Sequence, residues 1–321
     1  MEKQLCTYPL LEILVEHTDE NHSIRSKVIM TILENKYDIS IERHKLYSSI
    51  RQLNDRGYDI AFDKHTKGYK LRSREFTKSE VFTLCNAVHA SNFICQKDSQ
   101  ILINKLIGTL SKWEREEFND EVYKPNPKKT ANASLMDNIE KASFAAHNNL
   151  KMSFKYMHYA PTPNNGIQLQ EKYPERVLIE PRYICFVDSR PYLIVQGGRI
   201  DGFMHYRLDR MTDGRVTEEK STTPFNRIDA YEYANNKLFM YSGKEIIVSI
   251  KFEKRILDAM VDIFGTELFL REPDSTHYQT SVTVNDNGIV FLAQQYIDAI
   301  EIVSPEEIRE RIRNEIDATN Y

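Results

Sequence analysis

The stretch "HYRLDRM" (residues 205–211) sets two arginines three positions apart around an aspartate, close behind the apolar "PYLIV" (191–195). In a strand, His205, Arg207 and Asp209 share one face while Met204, Tyr206 and Leu208 share the other. The apolar set fills a core and leaves the His/Arg row on a concave or solvent face, and Arg210, at the strand's end, needs a bend to join it. Guanidinium groups make bidentate contacts to phosphate and stack on bases, and Tyr156 or Tyr192 offers a stacking surface. The competing reading is a structural ion pair, Arg207 or Arg210 with Asp209 or Glu180.

Around this run the chain is written in short strands. "LKMSFKYMHY" (150–159) alternates, a Pro/Asn/Gly loop (161–166) follows, and then come "ERVLIEPRYICFVD" (175–188), "RPYLIVQG" (190–197), "GFMHYRLDRM" (202–211) and "RVTEE" (215–219). Five closely connected strands behind one helix (133–149) predict a small barrel.

The N-terminal region differs in charge. The chain carries a net charge of -4, yet residues 43–74 hold nine basic and three acidic side chains, a segment of the kind presented to a polyanion. Tyr8, Leu11, Leu14 and Val15 lie at helical spacing, as do Val28, Ile32 and Leu33. A third helix is expected from Ser40 as N-cap through "IERHKLYSSIRQLNDR", with Leu46, Ile50 and Leu53 as its apolar stripe and Gly57 as its stop. "YDIAF", "DKHTKG" and "YKL" then read as a hairpin with a basic tip. Three helices and such a hairpin describe a winged helix-turn-helix, whose third helix enters the major groove while the wing approaches the backbone. Base readout falls to His44, Lys45 and either Tyr47 or Ser48, phosphate contact to Arg43, Arg51, Lys64 and Lys67, and His65 at the hairpin tip is a further DNA-binding candidate.

"FTKSEVFTLCNAVHASNFI" (76–94), with a Thr77–Glu80 capping box, and "DSQILINKLIGTLSKWEREEF" (98–118) read as two connecting helices. Trp113 is expected as a core or interface anchor. "YKPNPKKTAN" (123–132) marks a boundary. After residue 244 the order strand, helix, strand, helix, strand, helix predicts an α/β sandwich, with the last helix capped by Ser304 and Pro305 at its first position. Residues 244–316 carry eight basic and fourteen acidic groups, which argues against a second duplex-binding surface.

The spacing of "FKY…VLIEPRYICFVDSRPYLIV…FMHYRLDRM" resembles the WYL domain, with Pro191-Tyr192-Leu193 where that family carries its Trp-Tyr-Leu tripeptide. The Glu180-Pro181 pair, Tyr192-Leu193 and the Arg-Leu-Asp-Arg run fall in family order; the tryptophan is absent. WYL proteins commonly carry a winged helix-turn-helix before the barrel and a small WCX domain after it, so the resemblance spans nearly the whole chain. It implies an Sm-like, SH3-type barrel in a ligand-sensing bacterial transcription regulator, with Tyr156, Tyr192, Arg207 and Arg210 at the ligand site; Arg182, Lys155 and His205 are further candidates read from the residues themselves. The implied effector is single-stranded nucleic acid or a nucleotide, and regulators of this architecture occur beside phage-defence and DNA-damage genes.

The expected architecture is thus α+β multidomain: a winged helix-turn-helix (1–74), a helical connector with a dimer contact (75–130), a WYL β-barrel (131–225) and a WCX α/β sandwich (244–321). The expected protein is a homodimeric repressor that binds an inverted-repeat operator in double-stranded DNA. Its alternative is an accessory nucleic-acid-binding module whose helix-turn-helix contacts protein. No G-x-x-x-x-G-K-[ST], G-x-S-x-G or H-E-x-x-H occurs, and the nine histidines are scattered, so neither catalysis nor a cofactor is expected. Cys6, Cys85, Cys95 and Cys185 form no C-x-x-C pair and are read as reduced thiols rather than metal ligands. With no apolar run of about 18 residues and no signal-peptide pattern, a cytoplasmic protein without a membrane partner is expected.

Overall fold

Amphipathic helices build the first part of the chain. In the computed structural model, which describes residues 7–118, 126, 128–164, 166–196, 203–224, 228–241 and 243–318, the chain divides into two units, 1–133 and 134–321. In the first, α1 (Thr7–His17), α2 (Ser26–Tyr37) and α3 (Arg43–Asp55) bury Leu10, Ile13, Leu14, Ile29, Leu33, Leu46, Ile50 and Leu53 together. Ile60 and Leu71 of the antiparallel hairpin β1 (Ile60–Asp63) and β2 (Gly68–Leu71) close this core.

The structure corrects two expectations here. Tyr8 on α1 and Val28 on α2 are exposed, because the core takes the face of Leu10, Ile13 and Leu14 on the first helix and that of Ile29 and Leu33 on the second. Helix α3 begins at Arg43, with Glu42 rather than Ser40 at its cap. Asp38 turns left-handed (φ 56°) after α2, and Ile39 and Ile41 pack against the core, which keeps Ser40 out of the cap position. Gly68 allows close approach: a Cβ there would lie 2.6 Å from Ser23 Oγ and 2.9 Å from the Ile24 carbonyl.

The connecting region has three helices rather than two: α4 (Lys78–Ala90), α5 (Gln96–Ile107) and α6 (Lys112–Glu116). Thr77 and Glu80 form the expected capping box. A second box, Ser111 with Glu114, starts α6 and breaks the helix that periodicity alone carries through. Trp113 is 37% exposed and stacks on His22 at 4.7 Å, a surface contact rather than a core anchor.

The second unit opens with α7 (Leu135–His147), packed on a curled antiparallel sheet. Its long strand β3 (Leu150–Pro161) pairs with β4 (Ile167–Glu171), β5 (Val177–Val187) and β8 (Met211–Lys220), while β6 (Arg190–Gln196) and β7 (Phe203–Arg207) extend it beyond β5. Strand β4 arises in the stretch after the predicted loop. Pro181 sits at a register shift between β5 and β6, where no ladder N–H is required. Strand β7 stops at Arg207, and Leu208–Arg210 forms a 3-10 turn into β8.

Next, α8 (Ala230–Asn235) and a 3-10 turn (Leu238–Met240) precede an α/β layer. There β9 (Glu245–Glu253) lies between β10 (His277–Asn285) and β11 (Ile300–Ser304). Helices α9 (Leu257–Phe264), α10 (Asp286–Gln295) and α11 (Glu306–Asp317) alternate with the strands as expected, and their buried residues share one core with the sheet. The cap of α11 is Pro305 in extended conformation, not Ser304, which pairs with Ser249 in the sheet.

Asn138 of α7 is fully buried, and its amide donates to the carbonyls of Leu208 (3.3 Å) and Met211 (2.7 Å). Gly214 makes room for it, since a Cβ there would lie 2.7 Å from Asn138 Oδ1. We expect Asn138→Ala to destabilise the second unit by about 1–3 kcal/mol through orphaned carbonyls, and Gly214→Ala by about the same through overpacking. Calorimetry reads both as a lowered Tm.

Candidate nucleic-acid interface and ligand site

The face of α3 opposite its buried stripe carries Arg43, His44, Lys45, Tyr47, Ser48 and Arg51, all exposed. At the wing, Lys64, His65 and Lys67 are exposed at the tip. Asp63 shapes that turn by accepting from the His65 and Thr66 backbone N–H groups. With Lys70 as an ion-pair partner at 3.0 Å, the Asp63 carboxyl is lowered to about 2, the Lys70 contact being the largest cause. Thr66 is tied down in turn by Ser23 Oγ and by Arg25 Nε, which donates to its carbonyl.

Asn54 fixes the wing to α3: its Oδ1 accepts from Ile60 N (2.8 Å) and its Nδ2 donates to Ile60 O (3.2 Å). His44 pairs with Glu42 at 3.0 Å. Among the described residues, Arg43, Lys45, Arg51, Lys64 and Lys67 have no carboxylate partner. This face therefore keeps its positive charge unneutralised, as binding to a polyanion requires.

The ligand-site candidates of the second unit separate into three places. Tyr156, Arg207 and Arg210 come together around the 3-10 turn. Arg207 holds Asp209 in a two-pronged pair, Nε to Oδ1 at 2.9 Å and a terminal nitrogen to Oδ2 at 2.6 Å. Burial alone would lower the Arg207 pKa, but the Asp209 carboxylate outweighs it and the pKa rises. The structural ion pair is therefore present, with about a quarter of the Arg207 side chain still exposed. The Tyr156 hydroxyl accepts from the Arg207 backbone N–H at 3.2 Å, and burial pushes its pKa up.

Arg210 differs. Its guanidinium lies 4.5 Å over the ring of Tyr159, its Nε is buried without a hydrogen-bond partner, and it has no ion pair among the described residues. Lys172 adds a cation 6.0 Å from the Tyr156 ring. Sequence reading missed both Tyr159 and Lys172, because nothing in the alternation of β3 says that a turn 50 residues later delivers an arginine onto Tyr159.

Tyr192 and His205 form a second group. Tyr192 is buried against Cys185, Ile194, Ala234 and Met240, and its ring meets His205 edge-on at 5.9 Å. The His205 Nε2 donates to the Met240 carbonyl, and burial lowers its pKa, so both residues serve the packing of segment 228–241 on the sheet. Arg182 stands alone, fully enclosed. It bonds Gln196 Oε1 (3.1 Å), Asn149 Oδ1 (3.0 Å), Glu180 Oε2 (3.2 Å) and the Thr223 carbonyl (2.8 Å), which leaves no face for a ligand.

Cys85, Cys95 and Cys185 are buried thiols, and Cys6 lies outside the described residues. Among the described residues no three His, Cys, Asp or Glu converge to hold a metal ion, and no helix is long and apolar enough to cross a membrane. A cleft of about 960 Å³ in the first unit is walled by His22, Arg72, Phe82 and Trp113; none of the barrel arginines lines it.

No protein-family model matches the chain, and neither does any curated protein. Among solved structures it is similar to proteasome accessory factor B/C (PafBC) of Arthrobacter aurescens, with a TM-score of 0.27 and 13% identity, covering 98% of this chain and 48% of that one. It is also similar to a CRISPR Cas-related protein, with a TM-score of 0.38 and 14% identity, covering 91% of this chain and 84% of that one. The chain thus spans about half the length of PafBC, and neither score equates the folds.

Burial would raise the Glu180 pKa, but hydrogen bonds from Thr222 and Thr223 lower it below the ordinary value of 4.5. A depressed carboxyl stabilises the fold fully above its unfolded pKa and loses that contribution as pH falls through the folded value. Urea midpoints of the wild type should therefore fall more steeply between pH 5 and pH 3 (about the range of carboxyl titration) than those of Glu180→Gln. At neutral pH Arg182→Ala should cost about 3–5 kcal/mol, because it takes the cation from buried Glu180 and the donor from Gln196, Asn149 and the Thr223 carbonyl, whereas Arg210→Ala should cost under about 1 kcal/mol.

Proposed function

We propose that the chain is a DNA-binding transcription regulator of the WYL type, whose first unit sets α3 in the major groove and lays the wing tip against the backbone. The observation that carries this reading is the exposed, unpaired row Arg43, Lys45, Arg51, Lys64 and Lys67 in a protein of net charge -4. His44, Lys45 and Ser48 face the base edges; Arg43, Arg51, Lys64 and Lys67 face phosphates, with His65 between the two lysines at the wing tip. A homodimer on an inverted repeat, acting as a repressor, fits the architecture. Phe82, Leu84 and Ile101, exposed on α4 and α5, offer apolar surface for the dimer contact.

In the second unit the effector site is Arg210 on Tyr159, with Arg207 and Tyr156 beside it. A stacked guanidinium with unused donors suits a phosphate-bearing, base-bearing ligand, which is to say single-stranded nucleic acid or a nucleotide. The WYL resemblance supports the same class of effector and genes concerned with phage defence or DNA damage.

Binding of a mixed-sequence duplex across a salt series tests the first unit. Lys45→Glu and Lys67→Glu should each weaken binding at least about tenfold and flatten the salt dependence by about one charge. Duplex binding unchanged by both would assign the winged helix to protein contacts instead. For the second unit, a labelled single-stranded oligonucleotide should bind the wild type, and Arg210→Ala should abolish that binding while leaving duplex affinity intact.

A further inference from the structure

Beside the basic row, α3 and the wing share an aromatic patch that charge does not explain. Tyr47 is 46% exposed and Phe62 is 52% exposed. The Tyr69 ring joins them, 6.3 Å from Tyr47 and 5.3 Å from Phe62. Phe62 and Tyr69 are cross-strand partners two residues beyond the buried pair Ile60 and Leu71, on the same side of the hairpin; Tyr69 packs on the edge of the core and Phe62 lies exposed beside it. The Tyr69 backbone is fixed by two hydrogen bonds to Ile24, of 2.8 and 2.9 Å.

Cross-strand stacking alone would account for a Phe62–Tyr69 pair. It does not account for a phenylalanine ring, which has no polar atom, left half in water beside a Tyr69 ring whose other neighbour is the exposed Tyr47 of α3. The surroundings indicate what covers it. Arg43 and Arg51 stand four residues before and after Tyr47 on α3, all exposed, and Lys64 and Lys67 follow Phe62 at the wing tip. An apolar strip between two unneutralised basic rows matches the side of a nucleic-acid strand, where the apolar sugar runs between phosphates.

We infer that Tyr47, Phe62 and Tyr69 pack against the deoxyribose edge of the DNA strand that passes between the recognition helix and the wing. The inference rests on the duplex-binding reading above and adds to it a salt-independent, sequence-independent share of the affinity. Sugars present the same apolar edge at every base pair, so the patch positions the protein without selecting a sequence.

The test is equilibrium binding of the full chain to two duplexes of unrelated sequence across a salt series. Phe62→Ala should weaken both about tenfold, the effect of removing an apolar ring from a covered site, with an unchanged salt slope. Tyr47→Ala, on a different element, should repeat the loss, and Phe62→Leu should recover most of it. Thermal melts matching the wild type would show that the wing remains folded. Wild-type-like binding by both Phe62→Ala and Tyr47→Ala overturns the inference and leaves the DNA reading standing, as does a loss confined to one sequence. A wild-type chain that binds neither duplex overturns the DNA reading and the patch together.

Discussion

The buried amide of Asn138 donates to the carbonyls of Leu208 and Met211, and those two bonds shape the end of β7. In a continued strand, Arg207 and Arg210 would point to opposite faces, because side chains alternate. A 3-10 turn repeats every three residues, so residues three apart return to the same side. The turn sends Leu208 and Asp209 inward and leaves both arginines half-buried near the surface. The spacing of the arginine run and the geometry of the turn are one device, and Asn138 with Gly214 opposite it holds that device in place.

The arginines of the second unit then differ by how much of their hydrogen-bonding capacity the protein uses. Arg182 is enclosed and braces β5, β6 and the residues after β8 against one another. Arg207 is tied to Asp209, which is itself nearly inaccessible, so its orientation is set before any ligand arrives. Arg210 rests on a tyrosine ring, an arrangement that holds the guanidinium plane without occupying its terminal donors. A buried guanidinium must be paired to be tolerated, whereas a stacked one at the surface can remain available.

Segment 228–241 joins the curled sheet to the α/β layer. Ala234 and Met240 lie in the cluster with Cys185 and Tyr192, while Leu238 belongs to the core of the α/β layer. Phe239 and Met240 both adopt left-handed backbone angles, φ 57° and 52°, a conformation that costs non-glycine residues about 1–2 kcal/mol each. His205 bonds to the Met240 carbonyl and lies on β7, two residues from Arg207. One strand thus carries both a candidate ligand contact and a bond that secures the segment leading to the α/β layer.

Local pattern was enough for the elements and their order. The basic hairpin tip, the exposed face of α3, the Thr77 capping box and the alternation of strands and helices at the C-terminal end are all set within a few residues by periodicity, turn chemistry and charge. It was not enough for phase or for distant partners. Helix α1 is apolar on several sides, and only packing chose Leu10 over Tyr8. Ser40 and Ser304 have good capping chemistry, but the core drew Ile39 and Ile41 in and the sheet took Ser304. Tyr159 under Arg210, Asn138 behind the turn and Met240 on His205 are contacts between residues far apart in the chain, which no short window encodes. The sequence by itself determined which residues could bind an anion; the tertiary structure decided which of them remain free to do so, because burial demands partners for charge and only the folded chain assigns those partners.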